Sequence, residues 1–222
     1  MREYLTTVNF TRALALGTVV TAMALPRLAQ AGGYAGWRAG GCLVTMTLAA
    51  GAVTAWGAKA GLRGPYRGAG ETARGCGVAL LLALLLSPAQ HWIVQPLVAD
   101  AVRSSADAQW IRLQIPASAH DWLALVLWSA GFQTLFCVAA PTCFAARLTE
   151  RVWPAIVLTM VFSGYVALRQ LDLYHVECGR GLLVAVPAAK SFLGFLVYVR
   201  FGLAPSSVLF AGLNLHLLWN VP

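Results

Sequence analysis

Long apolar runs separated by short segments rich in Gly, Pro and charged residues set the pattern of this chain. The runs predict helices over 9–26, 40–58, 76–98, 121–146, 153–174, 181–199 and 203–220. A span across a bilayer needs roughly 20 apolar residues. The pattern therefore predicts an all-α membrane protein, a polytopic bundle of about seven transmembrane helices, with residues 1–222 as a single integral membrane domain. Ala29-Gln30-Ala31 after the first run has the A-x-A form of a signal-peptidase site. Pro26 and Arg27 separate it from the apolar core, and the many later spans favour a retained first helix.

Composition sharpens this reading. Hydrophobic residues make up 59% of the chain and charged residues only 11%, against about 25% charged in soluble domains. Mean hydropathy is +0.70, which excludes an ordinary soluble globule. The net charge of +8 comes from basic residues between or at the ends of apolar runs, so they read as topology determinants and no nucleic-acid partner is expected. Lys59, Arg63, Arg67, Arg74, Arg147 and Arg151 fall on the side of the amino terminus. The positive-inside rule places that side in the cytoplasm and the protein in the cell inner membrane. Arg27, Arg38, Arg103, Arg112 and Arg180 on the opposite side weaken the asymmetry. The longest loop, about 99–120 with Asp100, Asp107 and Trp110, reads as an interfacial segment covering a site on the far side.

Polar residues inside apolar runs are costly, and they serve either as interhelical glue or in a functional role. Here they are Gln95, Gln133, Cys137, Cys143, Arg169, Gln170, Lys190, Asn214, His216 and Asn220. The five cysteines are an odd number without C-x-x-C pairs, so neither a disulfide framework nor a metal site is expected. Cys143 stands out as a candidate nucleophile. It follows Pro141, whose missing amide hydrogen is expected to kink the helix and free the carbonyl of Cys137. On a helix Phe136, Ala140, Cys143 and Arg147 share one face, and a guanidinium one turn away favours a thiolate.

The candidate base is His216, with Asn220 one helical turn further on to hold its tautomer. His175 ranks second. If the fourth and fifth spans are straight and antiparallel, Thr159 is level with Cys143 and His175 lies about 24 Å beyond it, unless a break at Gly164 brings it back. His91 and His120 read as structural. The competing reading makes Cys143 a small packing residue and Arg147 a membrane-edge anchor.

The order and spacing from Phe132 to Asn220 resemble the CPBP intramembrane proteases, the CAAX-protease and bacteriocin-processing family, with a core at about 121–222. These are polytopic enzymes that activate water with a glutamate. Thr142-Cys143-Phe144-Ala145-Ala146-Arg147 occupies the place of the motif Glu-Glu-x-x-x-Arg, with Leu148 where a small residue follows. Leu171 to His175 fits Phe-x-x-x-His by distance without the Phe, and a tighter alignment puts Val166 or Ala167 at the histidine position. His216 to Asn220 matches His-x-x-x-Asn, with Phe210 and Asn214 as a competing register. Phe192 to Gly202 is similar to the Gly-containing span that ends in Tyr-x-Arg-x-Gly.

Both glutamate positions depart from the family, and a cysteine in that place resembles the cysteine-type myxosortases. These relatives are proposed to process carboxyl-terminal sorting signals built from a short motif, a membrane helix and a basic cluster. The resemblance implies an intramembrane cysteine endopeptidase or transpeptidase acting on exported, membrane-anchored surface proteins. Cys143 would be its nucleophile, His216 its general base and acid, Asn220 the orienter, and His175, Arg147 and Pro141 auxiliaries, with no metal or organic cofactor. An acyl-enzyme on a thiol can pass to an amine acceptor as well as to water. Two alternatives stand beside it: a catalytically inactive relative that binds transmembrane helices, and a small transporter suggested by Lys190, Gln133 and Arg169. The chain shows no internal repeat to support the latter.

Overall fold

Backbone polar groups in a bilayer must be satisfied within the chain, and apolar runs of this length meet that demand as helices. The computed structural model of the protein describes residues 6–30, 35–57, 62, 68–104, 115–173 and 180–220. Among them all regular structure is helical: α1 Thr7–Gln30, α2 Ala35–Trp56, α3 Ala69–Ser104, α4 Ala119–Thr149, α5 Trp153–Leu173, α6 Arg180–Phe201 and α7 Leu203–Gly212, with a 3-10 helix over Leu215–Asn220. Five helices are long and apolar enough to cross a membrane, and the apolar runs Trp153–Arg169 and Leu203–Trp219 are shorter. The chain is thus a multi-pass helical bundle, in which five helices among the described residues meet that length where the apolar pattern predicts about seven. Asp107, Trp110 and Arg112 of the expected covering loop lie outside the described residues, as do His175, Glu177 and Cys178.

Helix α4 is the core of the bundle, in contact with α1, α2, α5, α6 and α7. Its Leu135, Val138, Ala139, Cys143 and Ala146 meet Ala24 of α1, Met46 and Val53 of α2, Phe195 and Tyr198 of α6 and Phe210 of α7. Ahead of Pro141, where a kink is expected, the helix changes register. Residues Ser129–Ala139 form an eleven-residue π-helix between two α-helical turns. The Ala140 amide donates to the carbonyl of Leu135, five residues back, and the Thr134 hydroxyl donates to the Ser129 carbonyl at 3.2 Å. Such π-helical segments are rare and recur at functional sites.

Small residues let the helices approach closely, as association within lipid requires. Gly17 of α1 sits directly on Thr47 of α2, Gly194 of α6 on Phe210, and Gly212 of α7 on Ala83 of α3. Hydroxyl pairs tie neighbouring helices: Thr142 with Thr159 at 3.2 Å and Ser163 with Ser191 at 2.6 Å. Arg27, read from the sequence as a loop charge, is instead buried. Its Nη1 donates to Gln30 Oε1 at 3.2 Å, and Gln30 Nε2 donates to Asp121 Oδ1 at 2.8 Å, which fastens the end of α1 to the start of α4. Between α6 and α7 the chain reverses at Gly202, whose φ of 96° suits a residue without a side chain. The Gly202 amide donates to the Tyr198 carbonyl at 2.8 Å, so α7 starts beside Tyr198.

Candidate functional site

Cys143 is fully buried. Its Sγ lies 3.2 Å from Tyr198 Oη, and a Cβ placed on Gly57, just past the end of α2, would lie 3.4 Å from that sulfur. The neighbouring Thr142 is buried and held by Thr159, which confirms the level of Thr159 expected from antiparallel packing of α4 and α5. Arg147 is exposed one turn beyond the thiol. Among the described residues the hydrogen bond of the thiol is to a phenol, and neither an imidazole nor a carboxylate bonds it.

His216 lies at the other end of the bundle. Its Nδ1 donates to the Leu213 carbonyl at 2.8 Å. Two residues earlier, the Asn214 carbonyl accepts from Trp122 Nε1 at 3.0 Å. Trp122 and Cys143 belong to one continuous helical run, and at about 1.5 Å per residue the rise between them is on the order of 30 Å. Proton transfer needs heavy atoms about 3 Å apart. The Cys143–His216 pair expected from the sequence therefore does not form. The reason is the direction of α7: it starts beside Tyr198, at the level of the thiol, and carries His216 away from it.

The expected His216–Asn220 face is also lost. The last span is not one α-helix but α7 followed by a 3-10 turn, and at about 3.0 residues per turn positions four apart sit about 120° apart around the axis. Positions 216 and 219 eclipse instead. The competing register fares differently, since Asn214 Nδ2 donates to the Phe210 carbonyl at 2.9 Å and simply caps its own helix. His175 lies outside the described residues. Helix α5 runs unbroken through Gly164 to Leu173, so the break that would have returned the chain toward Cys143 is absent from that stretch.

No family model, curated protein or solved structure matches the chain.

The residues of the run Phe192 to Gly202 have plain structural duties: Gly194 admits the ring of Phe210, Tyr198 bonds the thiol and Gly202 turns the chain. Tyr198→Phe removes the phenol partner of Cys143. It is expected to cost about 1 kcal/mol, seen as a fall of a few degrees in the melting temperature of the purified protein, with Cys143→Ala in the same background adding little.

Polar side chains collect at the His216 end, and His91, structural by its sequence context, is among them. The His91 ring meets Trp219 edge-on, with centroids 4.7 Å apart. His216 is within electrostatic reach of both Lys190 and His91. A signal for this was present in α3, where Gly75, Ala79, Ala83, Ser87, His91 and Gln95 recur every four residues. The first four are small and buried, and the change to large polar residues on the same face marks where the packing stops being purely apolar.

Proposed function

We propose that this chain is a multi-pass membrane protein of CPBP-like design that engages the transmembrane helix of an exported, membrane-anchored protein without cleaving it. The observation that carries the reading is the state of the two positions where the family has acids: Thr142 and Cys143 are both buried and both held by hydroxyl groups of neighbouring helices. A general base is needed to turn either into a nucleophile, and the described histidine of the expected dyad lies at the far end of the bundle. The inner membrane is the proposed location, from the distribution of basic residues.

A second reading, the intramembrane cysteine endopeptidase or transpeptidase, draws on the π-helix that abuts Pro141 beside the thiol. It requires a state in which α4 opens, the sulfur is exposed and an imidazole reaches it.

Thiol labelling in native membranes separates the two. Cys143 is expected to react with a small maleimide at least about a hundredfold more slowly than the partly exposed Cys76, because modification needs local opening of the core. In cells, Cys143→Ala is expected to leave the size and amount of a membrane-anchored protein bearing a carboxyl-terminal sorting helix unchanged. Loss of processing by a Cys143→Ala protein that still accumulates in the membrane overturns the binding reading in favour of the peptidase.

A further inference from the structure

A cluster of nitrogen-bearing side chains at the far end of the bundle has no assigned work, and it is independent of any chemistry at Cys143. From α3 come His91 and Gln95, one turn apart on the face that packs α7 and the 3-10 helix. From the 3-10 helix comes His216, eclipsed with Trp219, whose ring lies against His91. From α6, which packs against α3, comes Lys190, within electrostatic reach of His216. Three of these side chains bear or accept a positive charge, and among the described residues no carboxylate acts on His216.

Several of these groups lack partners. Lys190 makes no ion pair or hydrogen bond among the described residues. His91 Nδ1 and Gln95 Oε1 are buried without one. Buried polar atoms are rarely left so, and an orphan of this kind asks for an absent ion, water or ligand. His216 has spent Nδ1 on the Leu213 carbonyl, which leaves Nε2 available. A glutamine amide turned about its last bond presents Nε2 donors in place of Oε1.

The level in the membrane narrows the ligand. Trp92 and Trp219 are 75% and 61% exposed, and exposed tryptophans of a membrane helix sit at the headgroup interface. We propose that His91, Lys190 and His216, with Gln95, form a binding site for a phosphate group, that of an anionic lipid headgroup or of free phosphate. The ammonium and the imidazole N–H groups supply charge-assisted donors to the phosphate oxygens, and Trp219 forms the wall.

The test uses the purified full-length protein. Native mass spectrometry after equilibration with mixed phosphatidylglycerol and phosphatidylcholine reads the lipid arm, and thermal unfolding against inorganic phosphate reads the free-phosphate arm. Preferential retention of phosphatidylglycerol, reduced about tenfold by Lys190→Met and kept by Lys190→Arg, supports the site with a lipid as its ligand. Stabilisation by inorganic phosphate that Lys190→Met removes, without a lipid preference, supports it with free phosphate. Wild-type protein that shows neither a preference nor a phosphate shift overturns the proposal. So does a folded Lys190→Met variant that retains either ligand as wild type does. Should Lys190→Met fail to fold, His91→Phe takes its place, and the wild-type arms decide by themselves whether a phosphate is bound.

Discussion

Gly17→Val is expected to leave almost no assembled protein in the membrane. A Cβ at position 17 would stand 2.6 Å from Thr47 Oγ1 and 2.8 Å from both the Cα and the amide nitrogen of Thr47. A hydroxyl can rotate away, but the backbone of α2 cannot, so α1 and α2 must separate along their crossing. Overpacking a core with one extra methylene costs about 1–3 kcal/mol. Valine adds three carbons against main-chain atoms, which places the loss at the upper end of that range or above it. The α1–α2 pair also carries Met46, Val53 and Ala24 into the surface that receives α4, so its separation reaches the centre of the bundle. The measurement is the yield of monodisperse protein after extraction, with the melting temperature of Gly17→Ala as the intermediate point. Thr47→Ala is expected to restore only part of the loss, because two of the three short approaches are to its backbone.

Cys143→Glu, alone or with Thr142→Glu, is expected to destabilise the protein by several kcal/mol and to create no peptidase. Resemblance to a family of glutamate enzymes by itself predicts the opposite, a repaired active site. The structure opposes that outcome because position 143 is sealed among Val53, Gly57 and Tyr198, with Arg147 exposed rather than beside it. A carboxylate there would be buried with one phenol as its partner, and a single neutral donor does not offset the desolvation of a charge. Cys143→Ser is the control. Its hydroxyl keeps the Tyr198 hydrogen bond, so its melting temperature is expected to stay within a few degrees of wild type. Recovery of substrate cleavage by a stable Cys143→Glu protein would contradict the burial on which this argument rests.

The helical bundle was readable from the apolar runs because each span is a local matter: a long hydrophobic stretch has no other way to satisfy its backbone in lipid. The level of Thr159 against Cys143 was readable too, since a tight turn at Glu150 to Val152 joins two helices whose rise per residue is known. The register of α4 was not. A proline predicts a lost hydrogen bond, but whether the helix kinks or widens into π geometry depends on what packs around it, and α4 is packed on several sides.

The histidines show the same division. His-x-x-x-Asn is a face only on an α-helix, and the sequence from Asn214 onward carries no strong breaker to announce the 3-10 turn. In that turn the Asn214 carbonyl accepts from Trp122, a residue remote in the chain, while His216 makes a local bond to the Leu213 carbonyl. His91 looked structural because one polar residue in an apolar run has no visible partner until α6 and the 3-10 helix arrive beside it.

What the sequence by itself determined is a membrane protein of several helices, the order and rough extent of those helices, and which side chains are too polar to face lipid without cost. Only the tertiary structure decided which of those side chains meet. Cys143 faces Tyr198 rather than a base, and the His91 ring lies against Trp219 of the 3-10 helix that carries His216. The physical reason is that hydrophobicity and helix period act over a turn or two of one chain segment, whereas the pairing of polar groups across helices depends on crossing points set by glycines and small residues such as Gly17, Gly194 and Gly212.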